Sequence, residues 1–237
     1  MRVTYLDHSG FFIEGGEHCL LFDYYRGELP PVPAGKSLTV FASHHHPDHF
    51  DPAIFRYGEQ IPGTRYLLGC DITLNAANRE RLGITDDIFA RCDRMHKDDV
   101  LTRNGVTVRA LRSTDMGVAF LVMLEGKRIY HGGDHNLWIW HENDSFDKSQ
   151  IARYYEELEK LRGLAIDAAF LPLDPRLGEE YWRGFDAFAR LIEPRRMFPM
   201  HMVGDYDIIR RFRELDASWP YRKRIMEIGA PGDTFEI

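Results

Sequence analysis

The side chains best suited to chemistry lie in one short stretch, SHHHPDH, which begins at Ser43. Within it, His44, His46, Asp48 and His49 form the pattern HxHxDH. Neutral imidazoles and carboxylates are the ligands that zinc and similar divalent cations take in proteins. A strand would place the first two histidines on one face, and a turn at the following proline would bring the other two side chains back toward them. The pattern therefore predicts a metal site.

The alternative interpretation of this stretch is a solvated, histidine-rich loop that binds nothing. It is disfavoured because the preceding run, LTVFAS, is typical of a buried strand. Four titratable side chains crowded beside such a strand would disfavour every charged state unless a metal compensated them. His45 lies between two candidate ligands and should point to the other face of the strand, so we do not expect it to bind metal.

The pattern HxHxDH resembles the central metal motif of the metallo-β-lactamase superfamily, and further pieces follow in the order of that family. Asp23 is similar to the family's early strand-end aspartate, Asp134 to its later Gly-Asp motif, and His201 to its final histidine ligand. The opening YLDHSGFFIE resembles, more narrowly, the ascorbate-6-phosphate lactonase-like branch. The resemblance implies an α+β fold, an αββα four-layer sandwich of two mixed β-sheets flanked by helices, with residues 1–237 forming a single metallo-hydrolase domain.

The same resemblance implies a role for each candidate ligand. His44 and His46 would hold one metal, and a second would be held by Asp48, His49 and His201. Asp134 would bridge the two. Asp48 and Asp134 are the expected catalytic residues, because the first would steer a metal-bound hydroxide while the second bridges the cations. The expected cofactor is zinc, one or two ions, with manganese or iron also compatible.

The sequence departs from the family pattern where the third histidine of the first metal site should lie. The stretch there is RSTDMG, which contains no histidine. Asp115 could supply an oxygen ligand instead, although a turn-capping carboxylate explains it equally well. His131 or His135 could reach in from the next strand end, or the first site could be weak and leave a mononuclear enzyme. We favour Asp115 as the replacement ligand.

Other residues are candidates for supporting the centre or contacting the substrate. Asp23 could orient ligand imidazoles by accepting their distal N–H groups. Asp174 and Arg176 follow a predicted strand and could contact substrate or ligands, and Trp138 could form a wall of the pocket. A turn before a helix would explain Asp174 equally well, and packing in the hydrophobic core would explain Trp138 equally well. His8 could approach the site through the early hairpin, but we favour a hydrogen-bonded structural role for it.

Composition limits the class of protein. The chain has 237 residues, a formal net charge of −7 and 44% hydrophobic residues, which indicates a soluble globular protein without a nucleic-acid-binding face. No apolar run is long enough to span a membrane, and the start lacks a signal-peptide pattern. The three cysteines have no CxxC spacing and predict reduced thiols in a cytoplasmic protein.

The local patterns predict strands in the first half of the chain and helices alternating with strands in the second. Gly15 and Gly16 predict a hairpin turn, residues 51–60 a short helix, and TLNAANRERLG a helix that ends at Gly83. DDIFARC is typical of a strand, and apolar spacing predicts a helix over residues 149–163.

The predicted function is a metal-dependent hydrolase that uses a metal-bound hydroxide on a small-molecule ester, lactone or phosphoester. The alternatives are a metal-dependent nuclease or phosphodiesterase and a catalytically degenerate metal-binding protein. The expected partner is a small-molecule substrate, with neither nucleic acid nor membrane, and a homodimer is compatible with the sequence.

Overall fold

The structure, a computed structural model, describes residues 1–237 and contains thirteen strands and six α-helices. The strands are β1 Arg2–Asp7, β2 Gly10–Glu14, β3 His18–Phe22, β4 Ser37–Ala42, β5 Arg65–Gly69, β6 Cys92–Met95, β7 Val100–Arg103, β8 Val106–Arg112, β9 Val118–Leu124, β10 Lys127–His131, β11 Ala168–Pro172, β12 Arg196–Met200 and β13 Thr234–Glu236. The helices are α1 Arg56–Gln60, α2 Ala76–Leu82, α3 Asp86–Phe89, α4 Asp144–Glu159, α5 Arg183–Ile192 and α6 Asp207–Glu214. Short 3-10 helices cover Pro52–Phe55, Pro175–Glu180, Asp216–Ser218 and Arg222–Arg224.

The strands form two mixed sheets. The first has the order β13-β1-β2-β3-β4-β5-β6, and the second has the order β12-β11-β10-β9-β8-β7. In the first sheet, the pairs β13–β1, β1–β2 and β2–β3 are antiparallel, whereas the pairs β3–β4, β4–β5 and β5–β6 are parallel. In the second, β10, β11 and β12 are parallel and the other pairs antiparallel. The carboxyl ends of parallel strands in each sheet therefore meet at one edge.

The two faces of the first sheet are buried in different hydrophobic clusters, as the two-residue period of a strand requires. Phe11, Ile13 and Phe22 belong to the large cluster that also contains Phe120 and Val122 of the second sheet. Their sequence neighbours in β2 and β3, among them Phe12 and Leu21, belong to a smaller cluster with residues of α1 and α3. The large cluster continues through the second sheet to Tyr154, Leu158, Phe185 and Phe188 of α4 and α5.

The order of layers is thus helix, sheet, sheet, helix, which confirms the expected sandwich. Each inner face contributes aromatic side chains to the contact between the sheets; Phe41 and Phe120, for example, have ring centroids 5.2 Å apart. None of the helices is both long and apolar enough to cross a membrane.

Most local predictions are confirmed. The Gly15–Gly16 hairpin joins β2 to β3, Asp51 caps the short 3-10 helix that leads into α1, and α2 ends at Gly83 in the left-handed conformation. The strand predicted for DDIFARC is wrong except at its last residue: Asp86–Phe89 form α3, a turn follows, and β6 begins only at Cys92. Thr85 caps this helix by accepting a hydrogen bond from the Ile88 N–H, so local capping overrides the strand-like composition.

The helix predicted over residues 149–163 begins earlier than expected, at Asp144. Asn143 caps its N-terminus by accepting hydrogen bonds from the backbone N–H groups of Ser145 and Phe146. The first turn carries few apolar side chains, so the periodic pattern used for the prediction starts only after it. This extra turn contains Phe146, which lines a cleft at the edge of the sandwich.

Candidate metal centre

The chemically active residues lie at the carboxyl ends of strands from both sheets. Asp23 directly follows β3, and the HxHxDH stretch follows β4. Asp134, Asp174 and His201 follow the parallel strands β10, β11 and β12. Because the two sheets pack face to face, these loops converge on one edge of the sandwich, where open sheets commonly bind ligands.

Asp23 and Ser43 form the polar support under this edge. Asp23 is fully buried with a positive φ of 40°, and it accepts hydrogen bonds from the Ser43 backbone N–H (2.7 Å) and hydroxyl (2.6 Å). It also accepts one from Nδ1–H of His49 at 2.7 Å. The Ser43 hydroxyl can in turn accept from Nδ1–H of His44, which lies 2.9 Å away. One carboxylate thus orients two imidazoles.

Two glycines allow the second sheet to approach this support closely. Gly117 has φ +62°, and a Cβ atom there would lie 2.0 Å from the Ser43 carbonyl oxygen. Gly133 has φ +51°, and its Cβ would lie 2.6 Å from the Ser43 side chain. The Ser43 carbonyl accepts a hydrogen bond from the Val118 N–H at 3.1 Å, which joins the two sheets at this edge. Only glycine permits this contact without strain.

His201 is oriented in the same way from the other side of the centre. Its Nδ1–H donates to Asp174 at 2.9 Å, and the same carboxylate accepts a two-pronged interaction from the Arg176 guanidinium. Asp174 is fully buried, which by itself would raise its pKa, but the hydrogen bonds from His201 and Arg176 outweigh burial and lower the pKa to about 2. The carboxylate is therefore ionised and fixes the imidazole tautomer.

The three anchored imidazoles direct their Nε2 atoms toward one carboxylate, that of Asp134. The Nε2 atoms of His44, His49 and His201 lie 3.5, 3.2 and 3.4 Å from its oxygens. His46 approaches from the cleft, with its Nδ1 3.0 Å from Nε2 of His44. The structure therefore brings together the predicted ligands His44, His46, His49, Asp134 and His201.

The donor atoms form two groups, each with its ligand atoms within 4.8 Å of one another. The first group is His44, His46 and Asp134, and the second is His8, Asp48, His49 and His201. The sequence prediction favoured a structural role for His8, and the structure instead agrees with the alternative that it approaches the site through the early hairpin. One signal for its position near the metal ligands was available, because His8 follows the end of β1. Since β1 and β3 are both antiparallel to β2, they run parallel to each other, and their carboxyl ends lie at the same edge of the sheet.

The candidates for the missing histidine lie elsewhere. His131 is fully buried and uses both ring nitrogens, since Nε2–H donates to the Ser9 carbonyl and Nδ1 accepts from Gly133. His135 is buried against Tyr154, with ring centroids 4.6 Å apart, and belongs to neither group. Asp115 lines the cleft but also lies outside both groups, so its role as a ligand stays a prediction.

Buried atoms at this edge fit a bound cation. Nε2 of His49 and Oδ1 of Asp134 are both buried and have no hydrogen-bond partner, although polar atoms in protein interiors are normally paired. Burial lowers the pKa of His44 to about 4, so this imidazole is neutral and able to donate its lone pair. Burial would also lower the pKa of His49, but the carboxylates of Asp134 and Asp23 raise it well above its usual range. The site thus favours a positive charge.

A cleft of about 270 Å³ opens over the two groups. One side is aromatic: the rings of Trp138 and Trp140 are stacked at 6.2 Å, with Phe146 nearby. Gln150 and Arg176 provide polar groups in the same lining. The indole N–H of Trp138 donates to the Asp134 carbonyl at 2.8 Å, so this wall is attached to the centre itself.

Sequence comparisons point to the same kind of protein. A family model described as a beta-lactamase superfamily domain matches residues 2–153. A metal-dependent hydrolase from Opitutus terrae is 28% identical over the full length of both chains. A metal-dependent hydrolase from Korarchaeum cryptofilum is 30% identical, over 85% of this chain and 82% of its own.

Solved structures share the fold. A metallo-hydrolase from Ignicoccus hospitalis superposes with a TM-score of 0.66 at 17% identity, covering 100% of this chain and 98% of its own. A diiron β-hydroxylase from Streptomyces venezuelae gives a TM-score of 0.56 at 14% identity, covering 85% of this chain and 44% of its own. Since the family model matches more than half of the chain, the protein belongs to the metallo-β-lactamase superfamily.

Proposed function

We propose that this metal-dependent hydrolase of the metallo-β-lactamase superfamily uses one or two zinc ions to cleave a small-molecule ester, lactone or phosphoester. The observation that carries the proposal is the convergence of three imidazoles, each anchored through Nδ1, on the buried carboxylate of Asp134. Zinc suits a mixed set of imidazole and carboxylate donors. Iron or manganese suits it as well, and one structural neighbour is a diiron enzyme.

The protein's own residues would hold and position the reacting groups. His44, His46, Asp48, His49, His201 and Asp134 would hold the cations, with Asp23 and Asp174 fixing the tautomers of their imidazole partners. A divalent cation bound here would acidify water and polarise the bond to be broken. Asp48 lines the cleft, where its carboxylate would orient the attacking water and receive its proton.

The cleft supports a small substrate rather than a polymer. Its volume of about 270 Å³ is at the lower end for ligand pockets. The stacked indoles would contact an apolar or ring-shaped part of the substrate, while Arg176 would interact with a negatively charged or carbonyl oxygen. The net charge of −7 disfavours a nucleic-acid substrate.

We further propose that the protein acts in the cytoplasm, since its three cysteines are all unpaired. A homodimer remains compatible with this proposal, and no nucleic acid or membrane partner is needed for it.

The test is hydrolysis of a panel of lactone, carboxyl-ester and phosphoester substrates by the metal-loaded protein. His46→Ala and Asp134→Ala should abolish turnover and lower the metal content per chain, while Asp115→Asn shows whether that carboxylate is a ligand. His45→Ala is the control, because His45 is half-exposed and pairs with Asp71 outside the centre. Full activity in both ligand variants would refute the proposal, and tight metal binding without turnover would favour a degenerate metal-binding protein.

A further inference from the structure

His8 occupies a turn that holds it firmly against the centre. It lies between β1 and β2 with φ +52°, a left-handed conformation that non-glycine residues adopt rarely. Its backbone N–H donates to the Asp7 carboxylate at 2.7 Å, and its carbonyl accepts from the His201 N–H at 3.0 Å. The main chain of His8 is thus bonded directly to that of a predicted ligand.

The ring of His8 faces the second donor group. It packs against the His201 ring, with centroids 4.1 Å apart, and meets the His49 ring edge-on at 5.5 Å. Its Nε2 lies 3.2 Å from an Asp48 carboxylate oxygen. The residue is only 9% exposed, and this nitrogen is buried and makes no well-aligned hydrogen bond. An unpartnered buried nitrogen directed at three other donors indicates a ligand position.

The two donor groups are unequal as a result. The first contains three donors, His44, His46 and Asp134, and the expected third histidine is absent from it. The second contains four donors, three of which are imidazoles. Oδ1 of Asp134 also lies close to this group, 3.2 Å from Nε2 of His49 and 3.4 Å from Nε2 of His201. A site with more preorganised donors holds a divalent cation more tightly.

We infer that His8 is a metal ligand of the second group, so that His8, Asp48, His49 and His201 form the high-affinity site and His44, His46 and Asp134 a weaker one. This inference rests on the proposed metal dependence. It adds a ligand from the first strand and predicts one tightly bound cation per chain, followed by a second that binds only at higher metal concentration.

The test is zinc binding to the metal-free protein in competition with a chromophoric chelator. Wild type should show two dissociation constants at least about tenfold apart, and His8 variants should weaken the tighter one by about 10–100-fold or more. His8→Asn keeps a side chain that tolerates the left-handed backbone but is too short to reach the group. His8→Gln fills a similar space beside Asp48, yet an amide is a poor zinc ligand.

Matched variants distinguish a ligand role for His8 from explanations in which His8 does not bind the cation. His46→Ala should remove the weaker site and leave the tighter constant within about threefold, and His45→Ala should change neither. Wild-type affinity in His8→Gln would overturn the inference, because it would show that the tighter site does not need an imidazole at this position. The inference would also be overturned if the two sites of the wild type had equal zinc dissociation constants and His8→Asn changed neither of them.

Cobalt substitution gives a second readout. The visible absorption of the cobalt-loaded protein depends on the ligand set, so it should change in His8→Gln; an unchanged spectrum would contradict a ligand role. Urea unfolding of each variant identifies any that do not fold. Because these measurements need no substrate, they stand or fail separately from the hydrolysis assay.

Discussion

At the scale of single residues, the groups that orient the ligands are as important as the ligands. A histidine can donate a lone pair from Nε2 only if Nδ1 carries the proton, and here Asp23 and Asp174 accept that proton's hydrogen bond from His49 and His201. Ser43 connects Asp23 to a third ligand, because its hydroxyl donates to Asp23 and can accept a hydrogen bond from Nδ1–H of His44. Loss of one carboxylate should therefore affect several ligands together.

Asp23→Asn tests this dependence. The amide offers one acceptor oxygen where the carboxylate serves three donors, so zinc affinity should fall by about 10–100-fold. Competition with a chelator measures the change. Asp205→Asn is the matched control, because Asp205 pairs only with Arg211 on the protein exterior. Equal zinc affinity in the two variants would contradict the assigned role of Asp23.

Prediction from sequence worked best for residues close together in the chain. The HxHxDH stretch keeps four donors within six residues, so they lie close together even though they follow β4 in a loop and are not on the strand that the prediction assumed. Asp134 and His201 were identified only through resemblance, since no local pattern links them to residue 44. His8 was assigned a structural role because nothing local shows that the turn after β1 reaches the second sheet's loops. That contact depends on how the sheets pack.

At the scale of secondary structure elements, the centre depends on how closely strand ends from the two sheets approach each other. The Ser43 carbonyl is the meeting point, and Gly117 and Gly133 leave room for it. The sequence indicated strand ends at these places, but the need for glycine there becomes evident only when both sheets are assembled. The short helix α3 was missed for a related reason: its capping interaction outweighs the strand propensity of its residues.

Gly117→Ala should be far more damaging than Gly163→Ala. Both glycines have a positive φ, +62° and +78°, but a methyl group at 117 would collide with the Ser43 carbonyl, whereas nothing lies within 4 Å of one at 163. We expect a loss in the free energy of unfolding of about 3 kcal/mol or more for the first and about 1 kcal/mol for the second. Urea titration measures both. Similar losses would show that the sheets do not meet as described.

At the scale of the whole molecule, the donors connect distant parts of the chain. The second group draws on the turn after β1, the loop after β4 and the loop after β12, which belong to both sheets. A cation that binds only the folded arrangement stabilises it by mass action. The four-layer sandwich was predictable as a whole through the family resemblance, whereas the unequal donor groups required the assembled structure.

Removal of metal should lower the thermal stability. At a free zinc concentration of about 100 times the dissociation constant, binding contributes about 2.7 kcal/mol, which corresponds to a decrease in Tm of roughly 5–10 °C on chelation. Thermal unfolding with and without a chelator measures this, and re-addition of zinc should restore the Tm. The double variant His49→Ala/His201→Ala, which lacks two ligands of the tighter site, should respond much less to either treatment. A wild-type Tm that is independent of chelator would contradict metal-linked folding.

The order of the donors along the chain has a consequence for biosynthesis, because His201 comes more than 150 residues after His49. A nascent chain carries the HxHxDH stretch out of the ribosome long before the strand that ends at Met200 has been made. Until then the second donor group lacks one of its four members. The complete group can therefore form only after almost all of the donor-bearing strands have been made.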